Sequence, residues 1–313
     1  MIALLPMILL ASPTRAETAS AAVKRVMDRV EKSVAATQGK DAREIAGSDR
    51  SLEALGHELV PFSGKAVESL AACANDLKRP PKVRLFATVF LGILGDPAAE
   101  KPLTAILLDT EQDPSVRSAA AQGLGTLNLL PEPTRKSLCA VLALPDSPRD
   151  LLDNVLIPVS RLGCIDPAPL EHAARSYGPR PSGRDLETVR RAAAALGRSR
   201  GEAPARALLR LLTYFPSRSG ARAAVIAALP GKALELTGGL AKEAWLPLRE
   251  ALLCETAETA SMLVLIPLAA EFPLFGGAAL LPLTSHPDAE VRAEAAQALA
   301  KLKYARARVS GTR

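Results

Sequence analysis

The chain has 313 residues, of which 48% are hydrophobic, 3% aromatic and 23% charged, and its formal net charge is +6. Strand-forming runs of Val, Ile, Thr and aromatic residues are nearly absent, whereas the helix formers Ala, Leu, Arg and Glu recur throughout, so an all-β fold is excluded. The hydrophobic and charged fractions are ordinary for a folded protein and exclude wholesale disorder.

The N-terminal residues have the features of a secretory signal peptide. An apolar run over 2–11 is followed by Pro13 and then by Thr14 and Ala16, two small residues at the positions that a signal peptidase requires. No basic residue precedes the run, which is atypical, and the run is shorter than the roughly 20 residues of a spanning helix. We expect residues 1–16 to be a cleaved signal peptide and the mature protein to be periplasmic or secreted.

The next segment predicts one amphipathic helix. Over residues 19–36, valines recur at helical spacing on one side and charged residues occupy the other positions. We expect this helix to cap the domain that follows, and the polar segment from Gly39 to Asp49 to be a linker. Residues 17–46 are thus the cap and linker, and residues 47–303 are the main domain.

Two similar stretches of the main domain lie 33 residues apart. Arg84 and Arg117, each preceded by Val, have this separation, and so do Gly92 and Gly125. A repeat of this length is the signature of a solenoid.

Further units follow at multiples of roughly 35 residues. They are centred on Arg190, Arg222 and Arg292, with more divergent copies at 151–163 and 257–270. One helical hairpin cannot bury its own apolar face, so the hairpins must stack into a curved rod with a long concave surface.

The repeated units resemble the HEAT repeat family, particularly its short bacterial type. The resemblance rests on Asp-Pro in the turn, Val-Arg in the first helix, the Ala-Ala-x-Ala-Leu-Gly run and the following Leu-Gly-Asp-Pro. Residues 83–125 and 286–303 match closely, and the rest of the domain matches in spacing. The resemblance implies an all-α fold, a right-handed α-solenoid of roughly seven HEAT-like helical hairpins, and it is specific for fold rather than function.

Two acidic residues stand at the starts of predicted helices. Asp113 is an N-cap candidate, with Pro114 at the first helical position. The HEAT resemblance implies that Asp113 with Arg117, and Asp288 with Arg292, form polar ladders between successive repeats. We expect these residues to be structural.

Positive charge is concentrated in one part of the chain. Between Arg175 and Arg222 there are eleven arginines and three acidic residues, and arginine favours bidentate contacts with carboxylate or phosphate groups. The resemblance places the second helix of each repeat on the concave face. We expect a partner-binding patch there, formed by Arg175, Arg180, Arg206, Arg210 and Arg218. The competing interpretation is a solvated face with structural arginines such as Arg190.

Residues with catalytic or metal-binding chemistry are sparse. His57, His172 and His286 lie in separate repeats, and the single His57-Glu58 pair lacks the several His-Glu pairs with which the HEAT-like deoxyhypusine hydroxylases bind iron. A nucleophile elbow and a phosphate-binding loop are also missing from the sequence. We expect no catalytic residue, no metal and no cofactor, and therefore no enzymatic activity.

The four cysteines match no zinc or redox spacing. They are Cys73, Cys139, Cys164 and Cys254. Each lies in or beside an apolar helical segment, so buried thiols are the favoured interpretation and a structural disulfide is the alternative.

The C-terminal part contains two unusual segments. Ser261 to Ser285 carries a single charge, but prolines and glycines divide it, which predicts two short buried helices rather than a membrane span. Residues 304–313 are basic and lack apolar periodicity, which predicts a flexible tail.

These features together favour a non-enzymatic protein-interaction scaffold of the bacterial envelope. Its expected partner is a protein with an acidic segment, with an anionic envelope polymer as a second possibility. Nucleic acid is disfavoured because aromatic residues for base stacking are scarce. The alternatives are a structural or assembly subunit of an envelope complex and an enzyme-associated HEAT-like subunit.

Overall fold

The computed structural model describes residues 17–37, 42–127, 129–144, 147–164, 166–255, 258–272 and 276–310. Within these ranges the chain forms α-helices joined by turns and short 3-10 helices, and no β-strand occurs there. The fold is an all-α solenoid, as the sequence predicted. The signal-peptide prediction for residues 1–16 lies outside the described residues.

Within these ranges the α-helices follow one another along the chain. They are α1 (Ala19–Ala36), α2 (Ala42–Gly56), α3 (Gly64–Asn75), α4 (Pro81–Leu94), α5 (Glu100–Leu108), α6 (Pro114–Thr126), α7 (Glu132–Leu142), α8 (Arg149–Leu162), α9 (Ala168–Arg175), α10 (Gly183–Arg198), α11 (Glu202–Tyr214), α12 (Gly220–Ala228), α13 (Ala233–Thr237), α14 (Ala241–Cys254), α15 (Thr259–Ala270), α16 (Gly276–Leu280) and α17 (Ala289–Ser310).

The helices stack in two rows. The first row consists of α2, α4, α6, α8, α10, α12, α15 and α17, each packed against the next. The second row consists of α1, α3, α5, α7, α9, α11 and α14. Helices α3, α5, α7, α9 and α14 pack far more on the first-row helix that follows them than on the one before. The packing unit is therefore a second-row helix with the first-row helix that follows it. The sequence repeat, in contrast, begins with a first-row helix.

One continuous apolar core runs between the two rows, from Ala22 in α1 to Leu302 in α17. Small residues let first-row helices approach closely. A Cβ atom added to Gly92 of α4 would lie 2.8 Å from the Cα of Gly123 in α6, nearer than real Cβ atoms come. The glycines of the repeat thus permit backbone contact between neighbouring repeats.

Carboxylates cap helices α6 and α17 of the first row. Asp113 precedes α6 and accepts hydrogen bonds from the backbone N–H (2.8 Å) and hydroxyl (2.6 Å) of Ser115. These bonds hold the pKa of Asp113 below its usual range. Asp288 accepts a bond from the hydroxyl of Thr259 at the start of α15 (2.6 Å), so this carboxylate joins two first-row helices.

The ladder arginines bind backbone carbonyls rather than the predicted aspartates. Arg117 is buried, and its Nε donates to the carbonyl of Leu107 in α5 (2.9 Å). Arg292 is exposed on the last helix and donates to the carbonyls of His286 and Pro287 in its own turn. Asp113 and Arg117 each therefore have other partners, although Arg117 does join two helices of the stack.

Two predicted boundaries are wrong. Helix α2 begins at Ala42, inside the predicted linker, because Ala, Arg, Glu and Leu favour a helix and Leu52 and Leu55 supply its buried face. Helix α17 continues to Ser310 through most of the predicted tail, since extending a formed helix through Ala and Arg requires no new nucleation. Residues 38–41 and 311–313 lie outside the described residues.

The cysteines differ in state. Cys139 of α7 and Cys164, just after α8, form a disulfide with a Cα–Cα distance of 6.0 Å. The favoured interpretation of four buried thiols is thus wrong for this pair, because the packing of α7 on α8 brings together residues 25 apart in sequence. Cys73 and Cys254 are half-buried free thiols, and burial raises the pKa of Cys73.

The apolar segment of the C-terminal part contributes α15 and the short α16, which pack on α17. None of the described helices combines the length and the apolar character needed to cross a membrane.

Candidate partner-binding site

Two of the predicted patch arginines converge on one carboxylate. The Nη2 of Arg175, at the end of α9, lies 2.9 Å from Glu171, and the Nη2 of Arg210, in α11, lies 2.6 Å from the same side chain. The side chain of Glu171 is only 14% exposed. The cations are therefore brought together by a carboxylate of this chain.

Arg206 is also paired within the chain. Its Nε lies 3.1 Å from Glu243 of α14, and its Nη2 lies 3.1 Å from Glu202. The carboxylates raise the pKa of both Arg206 and Arg210 above the usual arginine value. These exposed ion pairs connect α9, α11 and α14 along the second row and compensate the positive charge there.

The remaining two patch residues lie in loops. Arg180 is exposed in the turn before α10. Arg218, before α12, has a positive φ of 59°, and its backbone N–H donates to Glu255 (3.2 Å). Among the described residues, the guanidinium groups of Arg180 and Arg218 share no carboxylate with the other three arginines. Of the five predicted patch residues, the structure brings the guanidinium groups of Arg175 and Arg210 together on one carboxylate.

The acidic partners of the patch were not predicted from the sequence. Glu171 and Glu243 lie on either side of the arginine-rich window of 175–222, so a count of charges within that window does not include them. They are 39 and 37 residues from their arginine partners, which is about one repeat. A search for acidic residues about one repeat before or after each arginine would have identified them.

A groove between α10 and α12 lies in the same repeats but on the first row. Its cavity has a volume of about 570 Å³, and its walls are mainly alanine and glycine, including Ala194, Ala223 and Ala224. We call it the arginine groove because Arg190 and Arg198 line it. The helices are close here: a Cβ atom on Gly197 would lie 2.8 Å from the carbonyl oxygen of Ala228.

The two guanidinium groups of the arginine groove are weakly compensated. The side chain of Arg190 is 59% exposed, and its nearest described carboxylate is Glu187 at 3.8 Å. Arg198 is exposed and donates to the carbonyl of Ser160 (2.5 Å). Arg190 is therefore no structural ladder residue, contrary to the sequence-based interpretation, because its position in α10 turns it away from the core.

The histidines belong to no metal-binding cluster in the described part of the chain. No three His, Cys, Asp or Glu side chains there are close enough to hold one metal ion. Glu58, next to His57, accepts hydrogen bonds from Arg25 (2.7 Å) and Arg29 (2.6 Å) of α1, which lower its pKa. This carboxylate holds the N-terminal helix to the solenoid.

No protein-family model matches the chain. No curated protein matches it either. One similar solved structure is that of human deoxyhypusine hydroxylase in complex with glycerol, at 18% identity and a TM-score of 0.30 over 91% of this chain and 97% of that one.

This comparison corrects one sequence-based expectation. We expected a protein without enzymatic activity, whereas a similar chain is itself an enzyme. The expectation is therefore contradicted and is not carried further.

Proposed function

We propose that this chain is a HEAT-like binding scaffold, periplasmic or secreted, that holds an acidic segment of a partner protein in the arginine groove. The observation that carries the proposal is the pair of exposed guanidinium groups, Arg190 and Arg198, beside a groove with small apolar walls. A carboxylate that enters the groove can form charge-assisted hydrogen bonds with both arginines. The alanine and glycine walls leave room for the backbone of the bound segment.

The contrast with the second row favours this location. Arg206 and Arg210 already hold carboxylates at 3.1 and 2.6 Å. A partner that binds them must displace Glu243 or Glu171, so the new ion pair replaces an existing one and adds little net free energy. Arg190 and Arg198 have no such close carboxylate among the described residues.

The disulfide supports the proposed compartment. Disulfides such as Cys139–Cys164 persist in oxidising environments outside the cytosol. The signal-peptide features of residues 1–16 point to the same side of the membrane.

Charge reversal in the two rows tests the proposal. We expect the full chain to bind a fluorescent Asp- and Glu-rich peptide, and the Arg190→Glu/Arg198→Glu variant to lose about a hundredfold in affinity. The matched control is Arg206→Glu/Arg210→Glu, which makes the same change of charge and should stay within about threefold. Fluorescence anisotropy at rising salt measures both, and binding should weaken as screening increases.

Both double variants should retain helicity and melting temperature, because the four side chains are exposed. If only the Arg206/Arg210 reversal abolishes binding, the partner lies on the second row and the location proposed here is wrong. Undiminished binding by both variants would refute the acidic-partner proposal.

A further inference from the structure

A second groove crosses the first row in the N-terminal half of the solenoid. Its cavity has a volume of about 630 Å³ and is lined by residues of five successive first-row helices, α2, α4, α6, α8 and α10. We call it the acidic groove. It shares no lining residue with the arginine groove.

The acidic groove has an apolar floor and negatively charged edges. Leu85, Phe86 and Val89 of α4 form part of the floor. The edges carry four carboxylates, those of Asp49, Glu53, Asp113 and Asp150. Arg184 is the only basic residue in the lining.

The negative charge of the groove is only partly compensated. Arg184 lies 2.5 Å from Asp150 and 2.5 Å from Asp153, and Lys82 lies 2.7 Å from Asp49. Glu53 is exposed on α2 and has no ion pair with any described residue. A cation in the groove would therefore meet a free carboxylate.

A buried hydroxyl group in the groove also lacks a partner. Ser118 is only 6% exposed and lines the acidic groove, and its Oγ forms no hydrogen bond with any described residue. By contrast, the hydroxyl of Thr88 in α4 donates to the carbonyl of Arg84 one turn earlier (2.9 Å). Buried polar groups are normally paired, so the Ser118 hydroxyl is a group that a bound polypeptide can satisfy.

We propose that the acidic groove binds an extended segment of another protein, with Lys or Arg side chains at the carboxylates and an apolar side chain on the α4 floor. Packed helices lie about 8–10 Å apart, so five in a row span roughly 35 Å, which about ten residues of extended chain cover. This length favours a polypeptide over a small molecule. The proposal is independent of the acidic partner in the arginine groove.

A labelled ten-residue peptide of lysine, leucine and alanine is the probe, titrated against the full chain and read by fluorescence anisotropy. Glu53→Lys should raise its Kd about tenfold. The matched control is Glu68→Lys on α3, an exposed site outside the groove with the same change of charge, which should alter the Kd less than about twofold. Val89→Trp fills the groove without changing charge and should also weaken binding.

Equal effects of Glu53→Lys and Glu68→Lys would mean that the peptide responds to net charge alone, and the proposal would be overturned. The same conclusion follows if Val89→Trp leaves the Kd unchanged while helicity and melting temperature show a folded protein. Binding of the acidic peptide should be unaffected by Glu53→Lys, so either proposal can fail without the other.

Discussion

The two rows of helices use the same residue type in different ways. In the first row, Arg117 and Arg222 are buried and bind groups of neighbouring helices, unlike the exposed Arg190 and Arg198 of the arginine groove. In the second row, Arg206 and Arg210 are exposed and join α9, α11 and α14 through ion pairs at the surface. Burial rather than residue type separates the two sets.

This difference has an energetic consequence. When a buried ion pair loses one member, an uncompensated charge remains in the low-dielectric interior of the protein. This is strongly destabilising. An exposed pair returns both charges to water when it is broken. We therefore expect the buried arginines of the first row to contribute more to stability than the exposed arginines of the second row.

The largest expected effect comes from the core between the rows. Leu124 of α6 is fully buried, and Leu124→Asp should lower the free energy of unfolding by about 5 kcal/mol or more, because it places a charge in an apolar environment. Leu129→Asp is the control, since Leu129 is 89% exposed, and it should change stability by less than about 0.5 kcal/mol. Urea denaturation followed by circular dichroism measures both; similar midpoints would contradict the assigned core.

The comparison of the rows is sharpened by removing one arginine from each. Arg222 lies 3.1 Å from Glu255, and both side chains are at least 95% buried. Arg222→Met leaves Glu255 buried without a counter-charge and should cost about 3 kcal/mol, whereas Arg206→Met should cost less than about 1 kcal/mol. Thermal unfolding monitored by calorimetry tests this order, and a larger loss from Arg206→Met would reverse the assignment of the rows.

A smaller effect is expected from the close contact of first-row helices. Gly92→Ala places a methyl group 2.8 Å from the backbone of Gly123, so α4 and α6 must separate at a cost of about 1–3 kcal/mol. At Gly277 of α16, a Cβ atom meets nothing within 4 Å, and Gly277→Ala should be neutral or slightly stabilising. If the two variants melt at the same temperature, the contact between α4 and α6 is less close than described.

Much of the fold follows from the sequence because local signals agree with the global arrangement. The Asp113–Pro114 pair at the start of α6 and the valines of α1 each specify a helix and its buried face. The start of α2 and the end of α17 were missed because both segments are rich in charge, and charged residues occur in exposed helices as well as in linkers.

The candidate sites were harder to predict because they depend on neighbours from other repeats. The pairing of Arg210 with Glu171 requires knowledge of how α9 and α11 are aligned. The difference between the buried Arg117 and the exposed Arg190 depends on which side of each helix faces the core, although both follow a valine. The grooves arise from the spacing of first-row helices, which no single segment determines.

The covalent link between Cys139 and Cys164 also sets how far the molecule can be stretched. When the chain is pulled at its two ends, the loop between the bonded cysteines, whose sequence separation is 25, does not contribute to the extended length. At about 3.3–3.6 Å per residue, the oxidised chain is some 80 Å shorter than the reduced chain when both are fully extended. A thiol reductant that breaks this disulfide would thus lengthen the fully extended protein by a fixed amount.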